Sequence, residues 1–98
     1  MEQNETTVME EVKFQEPHKW KVIFKNDNIT PINFVVHILE EVFQLSNEKA
    51  VLFTLEVHHK GKAIVGVYYK SIAEMRQQTA LEMAKKAGYP LQIELEQE

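Results

Sequence analysis

Two short polar clusters carry the side chains best suited to binding chemistry. Asn26, Asp27 and Asn28 follow one another after an apolar run, and His58 and His59 close a later helical stretch. An amide carbonyl, a carboxylate and a neutral imidazole all accept hydrogen bonds, whereas a primary ammonium has three N–H donors and no acceptor. Asn26, Asp27 and His58 are therefore candidate ligands for an ammonium group. A protonated imidazole cannot accept, so such binding is expected to weaken in acid. A hollow beside these residues would be walled by Ile32 and Val35 of one helix and by Thr54 and Val57 of the next. Each residue also has an ordinary structural reading. Asn26–Asn28 suit an Asx-turn, His58 suits the negative end of a helix dipole, and Ile32, Val35 and Val57 suit a core. The residues alone leave these alternatives open.

Other chemistries fit less well. There is no cysteine, so no thiolate serves as nucleophile or metal ligand. Ser46 and Ser71 are better explained as helix caps than as nucleophiles. The carboxylate pairs Glu10–Glu11 and Glu40–Glu41 read as solvated charges, and the three glycines form no phosphate-binding loop. His18, His37, His58 and His59 are scattered, and neighbours on a helix point about 100° apart, so no metal site is expected. Neither catalysis nor a cofactor is expected.

The elements that must position the two clusters are legible from periodicity. From Trp20, apolar Val22 and Phe24 alternate with Lys21, Ile23 and Lys25, which predicts a strand. Thr30 is predicted to cap a helix whose first residue is Pro31. Ile32, Val35, Val36, Leu39, Val42 and Phe43 give its apolar stripe, and the helix is expected to end near Gln44–Leu45. Ser46 is predicted to cap a second helix with the stripe Ala50, Phe53, Thr54 and Val57, closed by Gly61. Lys62–Tyr69 predicts a strand, with Gly66 marking a bulge or a close approach. Ser71-Ile72-Ala73-Glu74 reads as a capping box. It starts a third helix that Ala73, Ala80, Ala84 and Ala87 would let lie close on a sheet, and Gly88 stops it. Leu91, Ile93 and Leu95 alternate in a last strand. The order β-α-α-β-α-β predicts an α+β fold: a small, mainly antiparallel three-stranded sheet with three helices on one face and water on the other.

Ninety-eight residues, 44% hydrophobic and 27% charged, suit one globular domain. Residues 1–17 read as a flexible acidic arm and 18–98 as the core domain. The net charge of −4 gives no basic face for nucleic acid. No apolar run reaches the roughly 18 residues of a membrane span. No secretory signal is visible, and a cytoplasmic location is expected.

From Lys19 to about Glu96 the chain resembles the ClpS family, adaptors that deliver N-degron substrates to the Clp protease. The resemblance rests on Trp20-Lys21-Val22-Ile23-Phe24-Lys25-Asn26-Asp27, Thr30-Pro31 with Phe34-Val35-Val36, Val57-His58-His59-Lys60-Gly61-Lys62-Ala63, Gly66-Val67 and Tyr89-Pro90-Leu91. It implies a fold similar to the C-terminal domain of the ribosomal stalk protein. It also implies recognition of a destabilising N-terminal residue (Leu, Phe, Tyr or Trp). Carried over by position, Asn26, Asp27 and His58 would hold the α-amino group, with Asn28 and Thr30 on the rim. Ile32, Val35, Thr54, Val57 and Leu91 would line the pocket for the first side chain. Glu74 and Arg76 would lie on the face that docks on the N-terminal domain of ClpA or ClpC, and the arm would engage the unfoldase. A monomer is expected.

Several positions depart from the family pattern. Asn28 stands where many relatives carry Asp, Ile29 where many carry Tyr, and Ile32 and Thr54 where Met is common. Met is flexible, whereas Ile and Thr are stiff at χ1, so a changed preference among the four first residues is expected. Ser71 replaces an acid common on the docking face. The alternative is a stalk-like interaction module that keeps the fold and reads no N-terminus; a small enzyme is a weaker one.

Overall fold

The computed structural model describes residues 18–98; the arm expected over 1–17 lies outside the described residues. The chain runs β1 (Lys19–Lys25), α1 (Ile32–Glu41), α2 (Asn47–Lys60), β2 (Lys62–Tyr69), α3 (Lys70–Ala87) and β3 (Gln92–Gln97). The strands form one sheet in the order β2-β1-β3, antiparallel throughout. The α+β fold and its element order are those predicted.

β1 is the central strand, which explains its unusually apolar middle. Val22 and Phe24 point into the core, and Phe43 meets Phe24 edge-on at 5.4 Å. Ile23 points to the opposite face yet is also buried, because Ile64 of β2 and Glu94 of β3 flank it in register. The outer face is thus less polar than the simple alternation implies. It carries Ile64, Val67 and Tyr69 beside the ion pairs Lys25–Glu94 at 3.0 Å and Lys21–Glu96 at 3.7 Å.

The helices cover the inner face. Ala73, Ala80 and Ala84 are fully buried and let the backbone of α3 approach the sheet, whereas Ala87, expected on the same face, is exposed. α2 starts as predicted: Ser46 Oγ accepts from the Lys49 N–H at 3.2 Å, and Gly61 closes the helix at φ 92°. Gly88 ends α3 at φ 83°.

Three helix boundaries differ from expectation. Pro31, not Thr30, is the N-cap of α1, and its carbonyl accepts from the Val35 N–H at 3.2 Å. Thr30 instead donates its N–H and its hydroxyl to the Asp27 carboxylate. α1 stops at Glu41 rather than near Leu45. The chain turns back through a left-handed Gln44 at φ 56°, and the Leu45 N–H reaches the Leu39 carbonyl at 3.1 Å. α3 begins at Lys70 with Tyr69 as an N-cap that lends no side-chain bond. Ser71 is already inside the helix, so the capping box does not form. The strand pairs as far as Tyr69 and passes into the helix without a loop.

Gly66 sits where the β1–β2 register shifts, and a Cβ there would lie 2.5 Å from Tyr68 Oη. The ring of Tyr68 folds over this bare backbone and carries the Arg76 guanidinium 5.1 Å from its centroid. Gly66→Ala is therefore expected to lower unfolding stability by about 1–3 kcal/mol through overpacking. A urea denaturation curve unchanged by the substitution would refute that account.

Candidate functional site

The turn between β1 and α1 is organised by one carboxylate. Asp27 Oδ1 accepts from the Ile29 N–H at 2.8 Å and the Thr30 N–H at 2.6 Å, and Oδ2 accepts from the Thr30 hydroxyl at 2.9 Å. Partial burial alone would raise its pKa, but the two backbone bonds and the hydroxyl bond outweigh burial and hold the carboxyl below its ordinary value. A carboxylate has about four acceptor sites, so about one is left for a ligand.

The same turn is fastened to the end of α2. The Asn26 N–H donates to the Gly61 carbonyl at 2.9 Å. That bond brings the Asn26–Asn28 turn beside His58 at the helix tip. The two polar clusters, far apart in sequence, therefore line one hollow of about 360 Å³.

Its mouth and its floor differ in chemistry. Asn26, Asn28 and His58 are exposed at the mouth, with Thr30 half-buried beside them. Val35, Thr54 and Val57 form the floor and are 3–6% exposed. Thr54 is polar, but its hydroxyl donates to the Ala50 carbonyl of its own helix at 2.7 Å. The floor is effectively apolar as a result. Ile32 is 46% exposed and forms part of the wall rather than the core. Such a combination suits a guest that is cationic at one end and hydrophobic at the other.

Two placements differ from the sequence reading. Ile29 and Pro31 line the hollow although the sequence reading assigns neither to it; the signal for Ile29 is a large apolar residue in an otherwise polar turn. Leu91 is absent from this lining and sits on an adjoining hollow, together with Ile29. Among the described residues no three His, Asp or Glu side chains converge as metal ligands.

Comparison with known proteins decides the family. Residues 15–94 match the family described as ATP-dependent Clp protease adaptor protein ClpS. The chain is 41% identical over 93 residues to the ATP-dependent Clp protease adapter protein ClpS of Campylobacter jejuni subsp. jejuni strain 81-176, covering 95% of this chain and 97% of the relative. It is 41% identical over 91 residues to that of Neisseria meningitidis serogroup A, covering 93% and 88%. A solved structure, Agrobacterium tumefaciens ClpS2 bound to L-phenylalaninamide, superposes with a TM-score of 0.82 at 35% identity, covering 85% of this chain and all of the other. The chain belongs to the ClpS family. As a ClpS protein it is an adaptor of the Clp protease and not an enzyme.

The two residues that the ClpS resemblance places on a docking face lie on α3 in different settings. Glu74 is exposed. Arg76 is half-buried: its Nη1 donates to the Val42 carbonyl at 2.9 Å and its guanidinium lies over Tyr68. Its Nε is buried and has no partner among the described residues. Arg76 therefore ties α3 to the end of α1, and it also lines a hollow of about 410 Å³ between those helices with His37 and Met75. Among the described residues no helix is long and apolar enough to cross a membrane.

Proposed function

We propose that this ClpS adaptor grips the first residue of a substrate polypeptide in the hollow between the β1–α1 turn and α2. The observation that carries the reading is the union of a hydrogen-bond-accepting mouth and an apolar floor in one cavity. The Asn26 carbonyl and the His58 imidazole accept from the free α-amino group. Asp27 adds its charge and its remaining lone pair, and Asn28 and Thr30 form the rim. A Leu, Phe, Tyr or Trp side chain enters between Ile32, Val35, Thr54 and Val57. The ligand in the similar Agrobacterium protein, L-phenylalaninamide, joins a free amine to such a side chain and supports this reading.

The magnitudes require both halves. Burying a Phe side chain contributes about 1.5–3 kcal/mol, and each charge-assisted hydrogen bond adds about 1.5–3 kcal/mol before entropic costs. Micromolar affinity needs about −8 kcal/mol, which neither half supplies alone. A Phe-initiated peptide titrated by fluorescence anisotropy is expected to bind in the micromolar range or tighter. Failure to bind would leave a ClpS fold acting as an interaction module with no reading of N-termini.

Ile32 and Thr54 are branched and stiff at χ1, so the walls adapt poorly to differently shaped guests. Peptides that differ only in beginning with Leu, Phe, Tyr or Trp are expected to separate in affinity by severalfold. Equal dissociation constants for all four would show that these walls do not discriminate. After capture, the adaptor works as a cytoplasmic monomer that docks on the N-terminal domain of ClpA or ClpC. It does so through the face carrying Glu74 and Arg76, and so delivers its cargo to the unfoldase.

A further inference from the structure

A second hollow of about 560 Å³ adjoins the first, and Ile29 belongs to both. Ile29 is 66% exposed and stands as a ridge between them. The second hollow is walled by Leu81 and Tyr89 and floored by the buried Leu91, and among the described residues Lys85 is its sole charged lining residue. Its walls are fixed in advance. Tyr89 meets Phe34 edge-on at 4.9 Å, its N–H donates to the Ala84 carbonyl at 2.9 Å, and Pro90 stiffens the turn that follows. The exposed isoleucine offers apolar surface to whatever crosses from one hollow to the other.

Resting on the reading above, we infer that the second hollow receives the apolar side chain of the third residue of the same substrate polypeptide. The register follows from extended-chain geometry. Successive side chains point to opposite sides, and alternate ones share a side about 6.6 Å apart, at roughly 3.3 Å per residue. With the first side chain in the first hollow, the second points away and the third points back towards the protein. Ile29, which lines both hollows, marks where they meet, and one such step carries the chain past it. The Lys85 ammonium at the rim sets the charge preference: an apolar third residue is accepted and a lysine there is repelled.

Anisotropy titrations of the full chain with Phe-Gly-X and Phe-X-Gly peptide series, where X is Gly, Leu or Lys, test this. Leu at the third position is expected to bind about 3–10-fold tighter than Gly, the effect of partly burying one such side chain. Lys there is expected to bind no better than Gly, and Leu at the second position should change affinity by less than about two-fold. Leu81→Ala should remove most of the third-position gain and leave the Phe-Gly-Gly affinity unchanged. Equal binding of Leu and Gly at the third position, or a gain confined to the second, overturns the inference while the first-residue reading stands. If Phe-Gly-Gly binds no better than its acetylated twin, the first-residue reading fails and this one falls with it. The peptide series on the unaltered chain decides the matter even if Leu81→Ala fails to fold.

Discussion

Acetylating the amino group of a Phe-initiated peptide is expected to weaken its binding by about 100-fold or more. The modification converts a cation with three donors into a neutral amide with one. Charge-assisted bonds to Asn26 and His58, at about 1.5–3 kcal/mol each, are then lost or replaced by weaker ones. The lower bound for two such bonds is about 3 kcal/mol, and each 1.4 kcal/mol is a factor of ten. The acetyl group must also enter a mouth lined by acceptors, where it brings no donor to satisfy them. What remains is burial of the ring against Val35, Thr54 and Val57, about 1.5–3 kcal/mol, too little for stable association by itself. Paired anisotropy titrations of the free and acetylated peptides measure the ratio. Affinities within about three-fold of each other would mean that the mouth does not recognise the amine.

Asp27→Ala is expected to reduce binding about as severely while leaving the chain folded. The carboxylate holds the Ile29 and Thr30 amides and the Thr30 hydroxyl. Its loss frees the turn that presents Asn26 and Asn28 and also removes the one negative charge that lines the hollow among the described residues. Asp27 is not itself part of the core built on Phe24, Ile38 and Leu39, so the far-ultraviolet circular dichroism should not change. Titration of the unaltered chain gives a second handle. Because the folded carboxyl is held below its ordinary value, its contribution is complete above about pH 4, the unfolded value. It is lost as pH falls through the lower folded value. The Ile29 and Thr30 amide proton resonances should shift together across that acidic window. Resonances that stay fixed, or an Asp27→Ala chain that binds Phe peptides normally, would remove Asp27 from the organisation of the site.

Much of this arrangement was legible from residue types. Ser46 before a helical stripe, Gly61 and Gly88 after one, and Gly66 inside a β-rich run each act locally, so sequence placed them correctly. The two halves of the site were legible as well, because acceptors in a turn and at a helix tip form recognisable clusters. The misread features depended on competition in three dimensions. Thr30 has the chemistry of a cap, but its N–H and hydroxyl donate to Asp27 and the helix is capped one residue later, at Pro31. Ser71 and Glu74 match a capping box, but β2 pairs as far as Tyr69 with Lys19 and the helix starts there, two residues too early for it. Arg76 reads as a surface cation until the Val42 carbonyl and the Tyr68 ring are found against it. Leu91 is apolar and adjacent in the fold, yet which of two neighbouring hollows it floors depends on where Ile29 stands.

The bond from the Asn26 amide to the Gly61 carbonyl has a consequence for the chain as it is being synthesised. The turn is made early and the helix tip later, and this bond joins them beside the first pairing of β1 with β2, where Lys25 meets Lys62. A ribosome-bound fragment ending before Lys62 would hold every acceptor and every floor residue without a receptor between them. The proposed site is thus complete only when the turn and the helix tip are held together, beside the pairing of the second strand with the first.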